Sequence, residues 1–387
     1  VTAPGRVIPN AVPHLAGNEW KYVKECLDTN WVSSAGPFVD RFEREVAQYL
    51  GVAHAVATVN GTAALHVALL AAGVRPGDEV LVPAFTFVAT AHAVAYCGAH
   101  PVFLDSEETS WGLDPVRVAE FLDGECGVEG GRVVNRRSGR TVRALLPVHL
   151  YGHPCDLDPL LALARRYPMA VVEDSAEALG ARYRGRAVGA DALAGCLSFN
   201  GNKIITSGAG GMVLTRDPAT AARVRRLTTQ ARGDALEFVH DEIGFNYRLS
   251  NLHAALGVAQ LEQLDTFVED KRRTASFYAA ALGRLDGVSP FVEAAWARST
   301  YWMASILLDE GRCRDVRALI RDLNTAGIQA RPLWRPLHLQ PAFHRAQRGP
   351  VPLAERLYAR GLSLPCSVGI TPEERQDVVD AVVQRLR

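Results

Sequence analysis

The sequence predicts an α/β protein, a mainly parallel sheet with helices on both faces, followed by a smaller α+β part. Three observations carry this. Short apolar strand patterns alternate with helical patterns from about residue 53 to residue 215, and strands that alternate with helices pair in parallel and are buried from both sides. A long helical pattern over 252–278 then leads away from that alternation. The remainder mixes strand and helix signals. The expected division is 1–255 for the large part and 256–387 for the small one.

Taken in order, 16–29 and 37–50 read as amphipathic helices, the first with Trp20, Val23 and Leu27 at helical spacing. A strand over 53–59 meets a helix opened by Asn60-Gly61-Thr62-Ala63-Ala64 that runs to about residue 72. Strands follow at 79–82, 101–104, 143–148, 169–173, 195–199 and 211–215, with helices at 86–96, 115–121 and 157–166. The segment 124–140 interrupts the rhythm, and its Gly and Arg content predicts an exposed hairpin or loop.

Composition narrows the function. The chain has 387 residues, 48% hydrophobic and 22% charged, with no net charge. That balance gives no electrostatic case for nucleic acid or an anionic membrane. No apolar run approaches the roughly 20 residues of a membrane span, and Val1-Thr2-Ala3-Pro4-Gly5-Arg6 lacks the apolar stretch of a secretory signal. The seven cysteines are widely spaced with no CxxC pair. This reads as free thiols in a cytoplasmic protein. The histidines show no metal-binding spacing, and no metal is expected.

Lysine is rare. Of 42 basic Lys and Arg residues only Lys21, Lys24, Lys203 and Lys271 are lysine. Arginine stays protonated, whereas a desolvated lysine can lose its proton and form an imine. Lys21 and Lys24 lie on a polar helical face and Lys271 in a charged run. Lys203 follows the apolar strand ending at Ser198 and precedes Gly208-Ala209-Gly210-Gly211. Three further features surround it. Asn60-Gly61-Thr62-Ala63, at a strand-to-helix junction, is either a phosphate cradle or an ordinary cap at Thr62. Val171-Val172-Glu173-Asp174-Ser175-Ala176-Glu177 ends a buried strand in carboxylates, suited to a helix cap or to a cationic ring nitrogen. The Ser198 hydroxyl faces the same rim. A phosphate cradle, an acid for a ring nitrogen and an imine-forming lysine are together the needs of pyridoxal 5'-phosphate (PLP). Phe87 is placed either to stack on the ring or to pack in the core. Dinucleotide and P-loop readings fail, because the glycine run precedes a strand and Lys203 is followed by Ile204.

With these stretches in order, the chain resembles the DegT/DnrJ/EryC1/StrS family of PLP-dependent sugar aminotransferases. The resemblance runs nearly end to end. It is carried by Thr29-Asn30-Trp31-Val32-Ser33-Ser34, Thr58-Val59-Asn60-Gly61-Thr62-Ala63-Ala64-Leu65, Gly77-Asp78-Glu79-Val80 and Thr86-Phe87-Val88-Ala89-Thr90-Ala91. It continues through Pro147-Val148-His149-Leu150-Tyr151-Gly152, Glu173-Asp174-Ser175-Ala176-Glu177-Ala178-Leu179-Gly180, Ser198-Phe199-Asn200-Gly201-Asn202-Lys203 and Gly244-Phe245-Asn246-Tyr247-Arg248-Leu249-Ser250-Asn251. The resemblance implies the aspartate-aminotransferase-like fold type I. It implies that Lys203 forms the imine with the cofactor and Asp174 pairs with the pyridine nitrogen. Glu177 then sits near the ring hydroxyl, where many members have Gln, and Phe87 stacks on the ring. Gly61, Thr62, Ala63 and Ser198 hold the phosphate, and Asn246 reaches it from a partner subunit, so that a homodimer shares its sites. Trp31, Ser33, Tyr247 and His338 fall near the sugar. The implied substrate is a nucleotide-linked keto sugar and the implied donor L-glutamate, with PLP cycling to its pyridoxamine form (PMP).

The stretches Phe199-Asn200-Gly201-Asn202-Lys203-Ile204-Ile205-Thr206 and Arg331-Pro332-Leu333-Trp334-Arg335-Pro336-Leu337-His338 look like the subgroup that aminates UDP-linked 4-keto-6-deoxy-N-acetylglucosamine, on routes to bacillosamine and legionaminic acid. Ser207-Gly208-Ala209-Gly210-Gly211 departs from that subgroup's glycine run, and the arginine-rich composition equally suits antibiotic or polysaccharide biosynthesis. Two other readings use the same fold. One is a sugar dehydratase, which carries His in place of this lysine. The other is a non-catalytic regulator, marked by loss of the lysine or the aspartate.

Overall fold

The computed structural model describes residues 7–234 and 236–386, so the segment 1–6 lies outside the described residues. Two helices, α1 (Glu19–Asp28) and α2 (Pro37–Leu50), precede the alternating region. The strands there are β1 (His54–Thr58), β2 (Glu79–Pro83), β3 (His100–Leu104), β4 (Cys126–Glu129), β5 (Arg132–Asn135), β6 (Thr141–Leu145), β7 (Ala170–Asp174), β8 (Arg182–Tyr183), β9 (Arg186–Ala187), β10 (Ala194–Ser198) and β11 (Gly211–Thr215). Between them run α3 (Gly61–Ala71), α4 (Ala89–Tyr96), α5 (Pro115–Glu125) and α6 (Leu157–Arg166), and α7 (Pro218–Thr228) follows.

The central sheet has the order β1-β11-β10-β7-β6-β2-β3, with the β4–β5 hairpin attached to β6. Pairing is parallel from β10 through β7, β6 and β2 to β3. β11 is antiparallel to both its neighbours, so β1 runs in the same direction as β10. β2 and β11 are buried at every position, as strands covered on both faces should be. The interrupting segment is a hairpin, as its composition predicts, with Glu129 opposite Arg132 across the Gly130-Gly131 turn.

The long helix expected over 252–278 is two helices, α8 (Asn251–Leu261) and α9 (Leu264–Leu282), broken at Glu262-Gln263. The break has a visible cause. Glu262 accepts from Asn18, Tyr22 and Arg41, while Gln263 donates to Glu19, which ties the junction to α1 and α2. Beyond it, β12 (Val288–Pro290), β14 (Ala304–Leu308), β15 (Arg331–Pro332) and β16 (Gly361–Leu364) form a second, antiparallel sheet in the order β12-β14-β16-β15. Helices α10 (Val316–Thr325) and α11 (Pro352–Arg360) pack on it, α12 (Pro372–Leu386) packs on α9 and α10, and β13 (Ala297–Arg298) pairs instead with β8. No helix among the described residues is long and apolar enough to cross a membrane.

Helix α1 departs from its expected face. Trp20 is 76% exposed and Leu27 53%, whereas Tyr22 and Cys26 are buried against α8. Polar anchors select this side. Glu19 is buried and accepts from the Gln260 and Gln263 amides and the Gly17 N–H, and Cys26 Sγ meets Asn251. Apolar spacing locates a stripe but not what covers it. Here Trp20 and Leu27, with Trp31 and Val32 nearby in sequence, face out from the chain, while Val23 is half-buried.

Gly211 is required by a close approach. A Cβ there would lie 2.6 Å from Gly61 N and closer still to the Asn60 carbonyl. Gly211→Ala is expected to lower stability by about 1–3 kcal/mol through overpacking, read as a shift in the denaturant midpoint at unchanged slope.

Candidate active site

The direction of the strands collects the chemistry. β1, β2, β6, β7 and β10 all end on one edge of the sheet, and the residues just past those ends are Asn60–Ala63, Phe85–Thr90, His149–Tyr151, Asp174–Glu177 and Ser198–Lys203. Ligands of open α/β sheets bind at this edge.

Strand alternation separates the two neighbouring carboxylates. Glu173 turns inward, fully buried, where its oxygens accept from the backbone N–H groups of Gly189, Asp191 and Ala192 and pair with His149 Nε2 at 2.9 Å. The Cys155 N–H donates to His149 Nδ1. That nitrogen therefore keeps its lone pair, and the imidazole is the neutral tautomer donating from Nε2. Asp174 turns to the other face. Its carboxylate accepts from the Thr90 hydroxyl at 2.8 Å and the Ala176 N–H at 3.2 Å. Among the described residues no cation stands within ion-pair distance of it, and burial pushes its pKa up against the pull of those donors. A buried carboxylate with neutral donors and no cation fits a ligand that brings positive charge, as a protonated pyridine nitrogen does.

Lys203 sits in the turn after β10, its backbone N–H bonded to the Asn200 carbonyl. Nζ lies 3.9 Å from Glu177 Oε1 and 4.0 Å from the centroid of the Trp302 ring. Burial lowers the lysine pKa, opposed by the charges of Glu177 and Asp174. This favours a neutral, nucleophilic amine. Glu177 is buried, its Oε2 accepting the Tyr151 N–H at 2.8 Å, and burial raises its pKa to about 7. Trp302, Tyr151 and Trp334 stack in near-parallel planes beside these groups. The Trp302 indole donates to the Asn202 carbonyl and the Tyr151 hydroxyl accepts the Trp334 N–H. From there a cleft of about 540 Å³ opens between Thr86, Phe87, Asn202, Arg331 and Trp334. Phe87 is 48% exposed, 5.1 Å from the Trp334 ring. Its ring is therefore not fully committed to the core.

At the other end of the rim, α3 is capped by Asn60, whose Oδ1 accepts the Ala63 N–H; Thr62 is not the cap. The Thr62 N–H has no acceptor within the helix and carries the positive end of its dipole. Gly61 stands so close to Ser198 that a Cβ would meet the serine's own at 2.8 Å. The turn and the hydroxyl thus form one surface suited to phosphate. These features fit PLP: anion donors at one end, a carboxylate at the other and Lys203 between.

Five other candidates make their contacts elsewhere in the chain. Asn246 is exposed and pairs with Thr229. Tyr247 stacks on Phe245, with its carbonyl bonded to Val59 N–H beside the phosphate turn. The carbonyls of Trp31 and Ser33 are held by Asn251 at the start of α8. His338 is buried with Nε2 on Glu355 and does not line the cleft. Lys271 also differs from its sequence reading. It is buried, donating to the Trp302 and Cys366 carbonyls at 3.1 and 2.7 Å, and so fixes the segment before β14 that carries Trp302 over Lys203. Four further residues of the site carry no functional signal of their own in the sequence, namely Thr90, Tyr151, Trp302 and Trp334. Three of them lie inside stretches that carried the resemblance; Trp302 has no local signal.

The sequence matches the DegT/DnrJ/EryC1/StrS aminotransferase family over residues 13–383. It is 41% identical over 378 residues to a GDP-perosamine synthase of Caulobacter vibrioides, covering 97% of each chain. It is 36% identical over 351 residues to a dTDP-3-amino-3,4,6-trideoxy-alpha-D-glucose transaminase of Streptomyces venezuelae, covering 90% of this chain and 86% of that one. The fold matches the crystal structure of S. venezuelae DesV in complex with a ketimine intermediate, with a TM-score of 0.85 and 33% identity over 96% of this chain and 94% of that one. A site built for PLP, on a chain similar to sugar aminotransferases over nearly its whole length, places this protein in the DegT/DnrJ/EryC1/StrS aminotransferase family, with pyridoxal phosphate as its cofactor.

Proposed function

We propose that the protein transfers an amino group, with L-glutamate as donor, to the ketone of a nucleotide-linked keto sugar. The observation that carries the reading is Lys203, a lysine of lowered basicity held between Glu177 and the Trp302 ring on the rim that bears Asp174. PLP supplies an electron-accepting ring and a carbonyl that can exchange for an amine. Asp174 keeps the ring nitrogen protonated, Phe87 covers the ring face, and Gly61, Thr62, Ala63 and Ser198 hold the phosphate. With PLP bound, the Lys203 amine would take up and return the proton that the amino transfer moves. Its presence in place of the histidine of the related dehydratases favours amination.

A relative named GDP-perosamine synthase makes a GDP-linked sugar the first substrate to test. The UDP-linked sugar suggested by the stretch 331–338 is the second. The exposed stripe of Trp20, Leu27, Trp31 and Val32 supports a homodimer, since apolar patches of this kind mark protein contacts. Asn246, exposed on its own chain, is assigned to the partner's phosphate. The division at about residue 255 remains our assignment for the two parts. It falls within α8, before the second sheet begins.

Three outcomes are expected. Lys203→Ala loses amination by about 10²–10⁴-fold, the contribution of a positioned acid–base group, measured as aminated product by mass spectrometry across GDP-, UDP- and dTDP-keto sugars. Full retention of transamination would overturn the reading. Asp174→Asn loses activity on a similar scale while PLP, followed by visible absorbance, still binds. Co-expressed Lys203→Ala and Asn246→Ala chains, each inactive alone, recover activity together, because a mixed dimer with shared sites has one intact site; no recovery would place each site within a single chain.

A further inference from the structure

The nitrogen of Lys203 has an aromatic neighbour as close as its nearest carboxylate. Glu177 Oε1 lies 3.9 Å from Nζ, beyond hydrogen-bond distance, and among the described residues no other carboxylate stands within ion-pair distance of it. On another side is the indole of Trp302, its ring centroid 4.0 Å from Nζ. An ammonium over an aromatic face at this distance is attracted by the ring quadrupole, most strongly for tryptophan and more so where water is excluded. Trp302 is 1% exposed, so water is excluded on this side.

Trp302 also grips the chain that carries Lys203. Its indole N–H donates to the Asn202 carbonyl at 2.6 Å, while the Lys203 N–H donates to the Asn200 carbonyl and closes the turn. One side chain thus holds the backbone just before Lys203 and the nitrogen at its far end. Trp302 is itself firmly placed. Its carbonyl accepts from Lys271 Nζ at 3.1 Å, and its ring lies at 17° to that of Tyr151 and 29° to that of Trp334. Tyr301 precedes it in a left-handed conformation with φ of 48°, which a bulky residue keeps only where its surroundings compensate. Here they do. The Tyr301 N–H donates to Ser299 Oγ at 3.0 Å, and its hydroxyl accepts the Glu293 N–H at 2.8 Å.

We propose that Trp302 is a positioning residue for Lys203: its ring face receives the Lys203 ammonium whenever that nitrogen is not joined to PLP, while its indole N–H fixes the turn from which Lys203 extends. An aromatic face suits this task. It attracts the cation but offers no basic lone pair to take the proton and no charge to lock the lysine in a tight ion pair. The lysine stays beside the cofactor site with its proton available. The charged groups that face Nζ are Glu177 and Asp174, which also favour the ammonium, whereas burial favours the amine. Bringing the two forms close together is what a group that takes up and returns a proton requires.

The inference rests on Lys203 being the residue that carries PLP. Its test uses the scarcity of lysine. With lysine isotopically labelled at Cε, magnetic resonance shows only Lys21, Lys24, Lys203 and Lys271, and the signal missing in Lys203→Ala is that of Lys203. In the pyridoxamine form of the enzyme, where Lys203 is not joined to the cofactor, the pH titration of that signal reads the acidity of the ammonium directly. Mono-, di- and trifluorinated tryptophan placed at position 302 keeps the shape and the N–H but withdraws electron density from the face. A weaker face destabilises the ammonium, so the midpoint is expected to fall stepwise, by about 0.5–1.5 pH units over the series. Trp302→Leu, which has no aromatic face, is expected to fall at least as far and to lose the upfield displacement of the Lys203 signal. A midpoint that does not move with fluorination would overturn the proposal even if Trp302→Leu lost activity, since packing alone is indifferent to ring electron density. Failure to take up PLP, or unchanged visible absorbance in Lys203→Ala, would instead overturn the assignment of Lys203. The same titration on the chain without cofactor would still decide the contact with Trp302.

Discussion

Strands that run in one direction deliver their ends to one edge, and the site follows from that. β1, β10, β7, β6 and β2 each contribute the residues just past their last hydrogen bond, so groups from residue 60 to residue 203 meet without a dedicated loop scaffold. β11 runs against this direction without spoiling it. It returns between β1 and β10 and brings Gly211 against the Asn60–Gly61 turn, which presses that turn onto Ser198. The phosphate end of the site is thus set by backbone contact and depends little on side-chain rotamers.

The opposite end is set by burial. Asp174, Glu177 and Lys203 sit where water is displaced by aromatic planes, and their acidities are all moved by desolvation. A low-dielectric wall strengthens each remaining electrostatic interaction. Glu173 belongs to a separate interior network, one residue and one sheet face away, in which His149 and three backbone donors satisfy it. That network fixes the loop over 189–192 and, through His149, the position of the Asp174 backbone, whose carbonyl accepts the His149 N–H.

Much of this was legible in the sequence, for definite reasons. Strands that are apolar throughout, such as Val80-Leu81-Val82, can only be buried, and their order announced the sheet. Lys203, Asp174 and the turn at Gly61 stood out because their chemistry is uncommon at strand ends. Less legible were features that depend on what lies across a contact. The stripe on α1 was visible, but its outward direction was set by Glu19 and Cys26 meeting α8. The break between α8 and α9 comes from Glu262, 240 positions away from the Tyr22 hydroxyl it accepts. Trp302 reaches Lys203 from the bend that leads into β14 of the second sheet, a separation of about a hundred residues that no local pattern records.

Lysine usage takes on a different meaning once Lys271 is seen to be buried. Lys21 and Lys24 are exposed on α1, while Lys203 and Lys271 are interior. A compact ammonium can sit among backbone carbonyls, as Lys271 does between Trp302 and Cys366. A planar guanidinium with five donors would need more room and more acceptors there. In a chain with 42 Lys and Arg residues, nearly all arginine, arginine serves on the surface but meets a steric limit inside. One of those interior limits is chemical and the other is architectural.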